Sequence, residues 1–346
     1  MKPTDKMQAV LDAHKALHTL PIETLDPETA RQIPLPDRAA LAVYGQHFTN
    51  RALASMPQPV GGVKHILMDG SRGPILARIY TPQGDMPKGG WPVLVYYHGG
   101  GWVIATLDTY DSSARALCEE AKCVVVSVHY RQAPEHKWPA APEDAYDAFR
   151  WVQTHTSEIK GNSARIAISG ESAGGNLAAV VCLMARANGV ALPVHQLLVY
   201  PVTDVAAGFD SESARKHADA KPLNRAMLLW FYDHYLPKDA DRRTAFISPL
   251  YVPNLSGLPD TTIINAEIDP LRSDGEAYAE RLKGAGVPVE WKLYKGVTHE
   301  FFGMKGIVDE AGEAIAFAAD RLKKAFSGSH PAAPAIPLTA TNMQPA

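Results

Sequence analysis

The sequence contains few cysteines and no long uninterrupted hydrophobic run. Its three cysteines, Cys118, Cys123 and Cys182, leave at least one thiol unpaired. We therefore expect no disulfide framework, and the count suits a reducing cytoplasm. Residues 1–15 mix charged with apolar side chains and lack the continuous apolar stretch of a signal peptide. Because no run of about eighteen apolar residues occurs, no membrane span is expected, and the predicted location is cytoplasmic.

A concentrated charge of one sign is also absent. The chain carries 34 Lys and Arg residues against 37 Asp and Glu residues, interspersed along its length, for a formal net charge of -3. Nucleic-acid phosphates are bound by concentrated basic surfaces, so nucleic acid is not an expected partner. With 46% hydrophobic and 21% charged residues, the composition is that of an ordinary globular enzyme.

Apolar strand segments alternate with helical segments along most of the chain. Segments 63–69 and 75–81, separated by a turn, predict an antiparallel hairpin. Further strands are predicted at 93–97, 124–129, 165–169, 196–200, 261–266 and 289–294, and helices near 108–121, 142–155, 174–188, 273–285 and 308–326. Strands that are apolar on both faces and joined by crossover helices indicate an α/β fold, with a mostly parallel central sheet flanked by helices.

Composition and spacing also divide the chain into segments. Residues 1–60 are polar and helix-prone, and we expect them to form a small helical segment outside the sheet. Residues 61–203 and 246–326 form the predicted core. The interval 204–245 lies in a crossover that is too long for a simple connection, so it is predicted to be a helical cap insertion. The Pro- and Ala-rich residues 327–346 predict a disordered tail.

A Gly-x-Ser-x-Gly motif at 170–174 follows a predicted strand and precedes a helix of small residues. In this context the motif predicts a sharp turn that presents the serine above the sheet, at a helix N-terminus. Glycine is needed at the flanking positions because a side chain there would collide with the neighbouring strand and helix. Ser172 is therefore the predicted nucleophile. The alternative is a glycine-rich turn with an incidental serine.

Three consecutive glycines follow the strand predicted at 93–97, in the segment HGGGW at 98–102. Such a run is entropically costly and is rarely retained for packing, but it lets the backbone approach a substrate closely. Together with the amide of Ala173, the N–H groups of Gly100 and Gly101 are predicted to form an oxyanion hole. The alternative is a phosphate-binding loop, which the missing Lys-Ser/Thr pair and the poor fit to Gly-x-Gly-x-x-Gly disfavour.

A serine hydroxyl needs a general base and an orienting carboxylate to act as a nucleophile. His299 and Asp269 follow the last two predicted strands, at the sheet edge where Ser172 is also displayed. We predict His299 as the base and Asp269 as the acid. Glu267 and Asp274 are alternative acids. Asp269 is favoured because a proline stiffens the chain after it, whereas Asp274 lies within the next predicted helix.

Taken together, these motifs resemble the hormone-sensitive-lipase-like, or bacterial family IV, esterases of the α/β-hydrolase superfamily. The resemblance spans roughly residues 60–325 and rests on HGGGW at 98–102, YRQAPEH at 130–136 with WPAA at 138–141, GESAGG at 170–175, DPLR at 269–272 and HEF at 299–301. It implies the α/β-hydrolase fold and a helical cap made by the N-terminal helices and the 204–245 insertion. The implied site residues are those reached above, namely the triad Ser172, Asp269 and His299 and the oxyanion hole Gly100, Gly101 and Ala173.

One position departs from the family pattern, and other family residues have a predicted structural role. Ala105 stands where many relatives carry glycine, and a narrower pocket floor is its expected effect. His129 and His136 do not indicate zinc, because no CxxC or HExxH motif accompanies them. In the YRQAPEH loop, the residues expected to brace the oxyanion loop by hydrogen bonds are Tyr130, Arg131, Glu135 and His136.

The predicted function is hydrolysis of short- to medium-chain carboxylic esters through an acyl-enzyme on Ser172, without a cofactor or metal. The expected partner is a small-molecule ester in a pocket lined by Trp102, Leu228, Trp230 and Phe231. Two alternatives remain. One is another acyl hydrolase, acting on amides, thioesters or lactones. The other is a non-catalytic binding protein resembling the plant gibberellin receptors, which lack the catalytic histidine. The sequence leaves a homodimer open.

Overall fold

Eight strands form one central sheet in the computed structural model, which describes residues 2–47 and 58–328. They are β1 (Gly62–Gly70), β2 (Gly73–Thr81), β3 (Trp91–Tyr97), β4 (Val124–His129), β5 (Gly161–Glu171), β6 (Gln196–Val199), β7 (Thr261–Ile268) and β8 (Val289–Thr298). The spatial order is β1-β2-β4-β3-β5-β6-β7-β8. The pairs β1–β2 and β2–β4 are antiparallel and the other pairs are parallel. The predicted hairpin and the mostly parallel sheet are confirmed.

Helices precede the sheet and connect its strands. They are α1 (Asp5–Ala16), α2 (Pro27–Ala30), α3 (Pro36–His47), α4 (Asp111–Ala121), α5 (Ala140–His155), α6 (Ala173–Ala187), α7 (Glu212–Lys216), α8 (Arg225–Tyr235), α9 (Arg272–Gly284) and α10 (Asp309–Ser327). The largest difference from the predicted core helices is the start of α4, which was expected near 108. Side chains hold the preceding residues in a turn there, because Asp108 N donates to Thr106 Oγ1 and Thr106 N donates to Thr109 Oγ1, each at 3.2 Å.

Strand β3 shows why helices cover both faces of the sheet. All seven of its residues are buried. Val93, Val95 and Tyr97 pack in the core cluster that includes residues of α5 and α6, whereas Leu94 and Tyr96 pack in the cluster that includes residues of α4 and α10. Because burial of one Val or Leu side chain contributes roughly 1.5–3 kcal/mol, a strand that is apolar on both faces is stable between two helical layers.

The N-terminal helices and the predicted cap insertion contact each other. α1 packs against α3, and α8 lies against the turn at 22–24. The indole N–H of Trp230 on α8 donates to Leu25 O at 3.0 Å, and Asn224 Nδ2 donates to Glu23 Oε1 at 3.0 Å. These contacts join two segments that are far apart in sequence. The division into cap and core segments stays a prediction.

Parts of two predicted segments lie outside the described residues. These are 48–57 of the N-terminal segment and the tail beyond 328. Ser327, which was predicted to belong to the tail, is the last residue of α10. In the two described ranges, none of the helices has the length and hydrophobicity needed to cross a membrane.

Candidate active site

Ser172 occupies the tight turn between the end of β5 and the start of α6. Its φ of +57° is one that non-glycine residues rarely adopt, at a cost of about 1–3 kcal/mol. The flanking glycines permit the close approach of the chain segments. A Cβ at Gly170 would lie 2.1 Å from Gly174 O, and a Cβ at Gly174 would lie 2.0 Å from Tyr97 O. The motif therefore has the steric requirement that the sequence predicts.

His299 lies directly after β8, and Asp269 lies directly after β7. The Nδ1–H of His299 donates to Asp269 Oδ2 at 2.7 Å, which leaves Nε2 to accept from the Ser172 hydroxyl at 3.0 Å. Asp269 is fully buried and also accepts from Leu271 N at 2.8 Å. The structure thus brings together, in hydrogen-bonded order, the three side chains predicted from separate motifs.

The environment of His299 favours its protonated form. Burial alone disfavours the imidazolium, but the neighbouring carboxylates of Asp269, Glu300 and Glu171 outweigh burial, so the pKa of His299 lies above its ordinary value. An imidazole with a raised pKa takes up a proton more readily, and it can do so only from its neutral form.

The two alternative acids bind elsewhere. Glu267 Oε2 accepts from Gly296 N at 2.9 Å. Asp274 Oδ2 accepts from the backbone N–H groups of Thr203 and Asp204, each at 2.9 Å. Burial raises the pKa of Asp274 to about 8. Both carboxylates therefore hold backbone segments, and Asp269 is the one that contacts His299.

The glycine loop after β3 has the conformation that its composition predicts. Gly100 and Gly101 have φ values of +98° and +59°, and a Cβ on Gly100 would lie 2.2 Å from Ile104 O. Within the described part of the chain, the N–H groups of Gly100 and Gly101 donate no hydrogen bond. Ala173 is the first residue of α6, where an N–H has no intrahelical acceptor. These three donors are available to a bound group.

Part of the predicted bracing of this loop is present. Tyr130 Oη donates to His98 O at 2.8 Å. Gln132, which was not predicted, donates through Nε2 to Ile104 O at 2.7 Å. Arg131 instead binds Asp144 on α5, with Nη2 at 2.7 Å from Oδ1. The loop is therefore held from the β4 side chiefly by Tyr130 and Gln132.

Glu135 acts on the loop through an arginine of the N-terminal segment. Arg31 forms two hydrogen bonds with the Glu135 carboxylate, at 2.7 and 2.8 Å, and its Nε donates to Val103 O at 2.8 Å. Arg31 was missed because it lies about a hundred residues from Glu135 in sequence. His136 contributes a backbone bond to Gln132 O.

Two further carboxylates lie beside the predicted triad. Glu171 precedes Ser172 and is buried, and it accepts from Tyr96 Oη at 2.5 Å and from Tyr200 Oη. Burial, with the nearby charge of Glu300, raises the pKa of Glu171 to about 7. The ring of Tyr200 packs on that of His299 with centroids 4.4 Å apart. In the sequence, Glu171 precedes Ser172 and Glu300 follows His299. This adjacency is the signal that could have identified both glutamates as site residues.

Ser172 and His299 open onto a cavity of about 520 Å³. The opposite wall consists of residues from α1, from the segments 19–23 and 33–37, and from 221–231. Apolar side chains on this wall include Leu11, Ile22, Leu35, Leu223, Met227 and Phe231. The cavity therefore joins a polar floor at the sheet edge to a largely apolar roof.

Of the four predicted pocket residues, the structure places one on the described cavity wall. Phe231 lines the cavity, and a Cβ on Gly101 would lie 2.2 Å from its ring. On α8 the residue four positions earlier, Met227, shares that face. The other three predicted residues are not among the described residues of the cavity wall. Trp102 is buried and stacks on Tyr235, with ring centroids 4.2 Å apart. Leu228 packs in the core, and the indole N–H of Trp230 donates to Leu25 O.

Comparison with known proteins gives relatives over most of the chain. A family model described as the alpha/beta hydrolase fold matches residues 94–303. Carboxylic ester hydrolase LipN of Mycobacterium tuberculosis is 42% identical over 254 residues, which span 72% of this chain and 66% of LipN. Ethyl acetate hydrolase of Pseudomonas putida is 33% identical over 319 residues, which span 92% of this chain and 96% of that protein.

A solved structure agrees with this assignment. The crystal structure of an alpha/beta hydrolase enzyme from the metagenome of Lake Arreo, Spain, has a TM-score of 0.85 at 33% identity, covering 94% of this chain and 99% of that chain. The matched family segment contains the glycine loop, the Ser172 turn, Asp269 and His299. The chain therefore belongs to the α/β-hydrolase fold family, in its hormone-sensitive-lipase-like branch.

Proposed function

We propose that this protein is a carboxylesterase for short- to medium-chain esters, with Ser172 as nucleophile, His299 as general base and Asp269 as orienting acid. One observation carries the proposal: a single imidazole lies 3.0 Å from the Ser172 hydroxyl and 2.7 Å from the Asp269 carboxylate. This is the geometry that activates a hydroxyl at neutral pH. The names of the relatives, a carboxylic ester hydrolase and an ethyl acetate hydrolase, support the reaction class.

The first half of the reaction acylates the serine. Ser172 Oγ attacks the ester carbonyl while His299 Nε2 takes its proton, and the imidazolium then protonates the departing alcohol. Asp269 keeps Nδ1 protonated and stabilises the positive charge. In the second half, water attacks the acyl-enzyme, and His299 again takes and returns the proton.

The negative oxygen that forms in both halves requires donors close to Ser172. The N–H groups of Gly100, Gly101 and Ala173 are the candidates, since two of them are unpaired in the described residues and the third opens a helix. Loss of one such donor slows an enzyme by roughly 10²–10³-fold. Backbone donors at fixed positions need no reorganisation during the reaction.

The cavity supports a preference for small to medium esters. Its volume of about 520 Å³ lies in the range of small-molecule sites, and its roof presents apolar side chains such as Leu223, Met227 and Phe231. An acyl chain of several carbons would bury apolar surface there, at about 25 cal/mol per Å². Amides, thioesters and lactones could use the same three residues, and the triad geometry does not favour them over esters.

The test is a series of p-nitrophenyl esters with acetyl, butyryl and octanoyl groups, run on the unaltered protein and on Ser172→Ala. We expect turnover of all three esters, with the shorter two preferred, and loss of turnover and of organophosphate labelling in the variant. Circular dichroism should show the same fold for both proteins, because one hydroxyl is removed at a turn. Absence of ester turnover in the unaltered protein, with ligand binding retained, would favour the non-catalytic alternative.

A further inference from the structure

Glu300 lies beside the reacting groups, and the mechanism above gives it no role. It follows His299 directly, with a φ of +71° that non-glycine residues rarely adopt. Its Oε1 lies 3.7 Å from His299 Nε2, the nitrogen that faces Ser172, and accepts from Tyr110 Oη at 2.7 Å. Its side chain is 22% exposed and lies on the cavity wall with Ser172.

The acylation half of the reaction needs no hydrogen bond to this carboxylate, whose charge acts in both halves by favouring the His299 imidazolium. Ser172 has one hydroxyl proton, which His299 takes, and the departing alcohol receives that proton. The orientation of the imidazole is set at Nδ1 by Asp269. Water differs from the Ser172 hydroxyl and the departing alcohol because it carries two hydrogens. One hydrogen goes to His299, and in a closed site the other needs a second acceptor.

Building on the proposed ester hydrolysis, we infer that Glu300 is a catalytic residue that holds the water for deacylation. A single water can lie within hydrogen-bond distance of two atoms that are 3.7 Å apart. One hydrogen then points to His299 Nε2 and the other to Glu300 Oε1, so the lone pair faces the acyl carbon on Ser172. The bond from Tyr110 fixes the carboxylate in this position.

The step is balanced without a proton transfer to Glu300. The water oxygen forms a bond to the acyl carbon, the carbonyl electron pair moves to its oxygen, and one proton passes to His299 Nε2. When the intermediate collapses, the bond from carbon to Ser172 Oγ breaks and His299 returns the proton to Oγ. The second hydrogen stays on the acid product. Burial raises the pKa of Glu300, whereas the neighbouring His299 and the bond from Tyr110 favour its ionised form, which accepts hydrogen bonds.

Competition between water and methanol for the acyl-enzyme tests this role. Methanol has one O–H hydrogen, which goes to His299, so its attack does not need Glu300. With p-nitrophenyl butyrate and fixed methanol, we expect Glu300→Ala to raise the initial ratio of methyl butyrate to butyrate by roughly tenfold, the effect of one charged hydrogen bond. Glu300→Gln keeps a neutral acceptor oxygen and should give a smaller rise. Tyr110→Phe, which removes the anchoring hydroxyl, should act in the same direction.

A purely structural role for Glu300 would give a different result. Both halves of the reaction use Ser172 and His299, so a disturbed site slows attack by water and by methanol together and leaves the product ratio unchanged. An unchanged or lower ratio in Glu300→Gln and Tyr110→Phe would overturn the inference, even if Glu300→Ala fails to fold. Glu313→Gln on α10 makes the same charge change away from the cavity and should keep the unaltered ratio. Absence of ester hydrolysis in the unaltered protein would instead overturn the proposed function, and this inference with it.

Discussion

The wall of the cavity that carries Ser172 and the wall that faces it are held in different ways. On the sheet side, Ser172, Gly101 and Glu300 sit at positive φ in tight turns, and His299 is almost fully buried. The facing wall, made by residues of α1, 19–23, 33–37 and 221–231, is called the cap side here. Its apolar side chains project from helices and short turns, and Leu20 is 62% exposed. Backbone geometry thus holds the proposed reacting groups, whereas ordinary side-chain packing shapes the space proposed for the substrate.

This difference predicts two kinds of mutational effect. Changes on the sheet side should alter the rate for every ester, because each ester passes through the same groups. Changes on the cap side should alter which ester is preferred, because different acyl chains contact different amounts of that wall.

The largest effects are expected for the proposed triad of Ser172, His299 and Asp269. His299→Ala should lower kcat/KM for p-nitrophenyl butyrate by on the order of 10⁴-fold or more, nearly as much as Ser172→Ala. Asp269→Asn should retain more activity than His299→Ala, because members of a triad contribute unequally. Glu267→Gln serves as the matched control, since that carboxylate binds Gly296 N, and should stay within about threefold of the unaltered protein. Full activity in Asp269→Asn with loss in Glu267→Gln would move the acid to Glu267.

The next largest effect is expected in the pH dependence of kcat/KM, on its acid side. In the proposed mechanism only neutral His299 accepts the Ser172 proton, and the pKa of His299 lies above the ordinary value of about 6.5 despite burial. We expect kcat/KM to fall as pH drops through that raised pKa, by about tenfold per pH unit below it. The charged and polar groups that face His299 include Asp269, Glu171, Glu300, Tyr200 and Ser172.

Removing one of those charges should shift the pH at which kcat/KM falls. Glu300→Gln takes away a carboxylate that favours the imidazolium, so the midpoint of the acid limb should shift to lower pH. Glu313→Gln should leave the midpoint in place. An unmoved midpoint in Glu300→Gln, or a shift to higher pH, would contradict the electrostatic account of the site.

Much of this sheet-side wall was predictable because its motifs are local. Gly-x-Ser-x-Gly and HGGG specify turns through steric requirements within a few residues, and β7 and β8 deliver Asp269 and His299 to the same sheet edge. The cap side depends on which face of α8 meets the cavity, and a cluster of apolar residues does not reveal this. The Arg31–Glu135 pair depends likewise on contacts between distant segments.

A smaller and selective effect is expected at the cap wall. Phe231 packs on Gly101 and lines the cavity, whereas Trp230 points to Leu25 O. Phe231→Ala should raise the octanoyl-to-acetyl ratio of kcat/KM by about tenfold, because it opens space for a longer chain. Trp230→Ala is the matched aromatic control and should leave the ratio near that of the unaltered protein. A uniform fall for all three esters in Phe231→Ala would mean that this ring only supports the glycine loop.

The smallest effect is expected at Ala105, in the loop that follows Gly100 and Gly101. Ala105 is buried with a φ of +70°, so glycine would relieve about 1 kcal/mol of left-handed strain. Glycine also adds backbone entropy to the unfolded chain, which offsets roughly 0.5–1 kcal/mol of that gain. Ala105→Gly should therefore leave the free energy of unfolding within about 1 kcal/mol of its original value, as measured by urea denaturation. Ala316→Gly, at an exposed position within α10, should destabilise by about 1 kcal/mol, because there is no strain to relieve. If Ala105→Gly proved the more destabilising of the two, the Ala105 methyl group would contribute packing energy that exceeds the strain of its backbone. The loop after Gly100 and Gly101 would then depend on side-chain contacts, as the opposite wall of the cavity does.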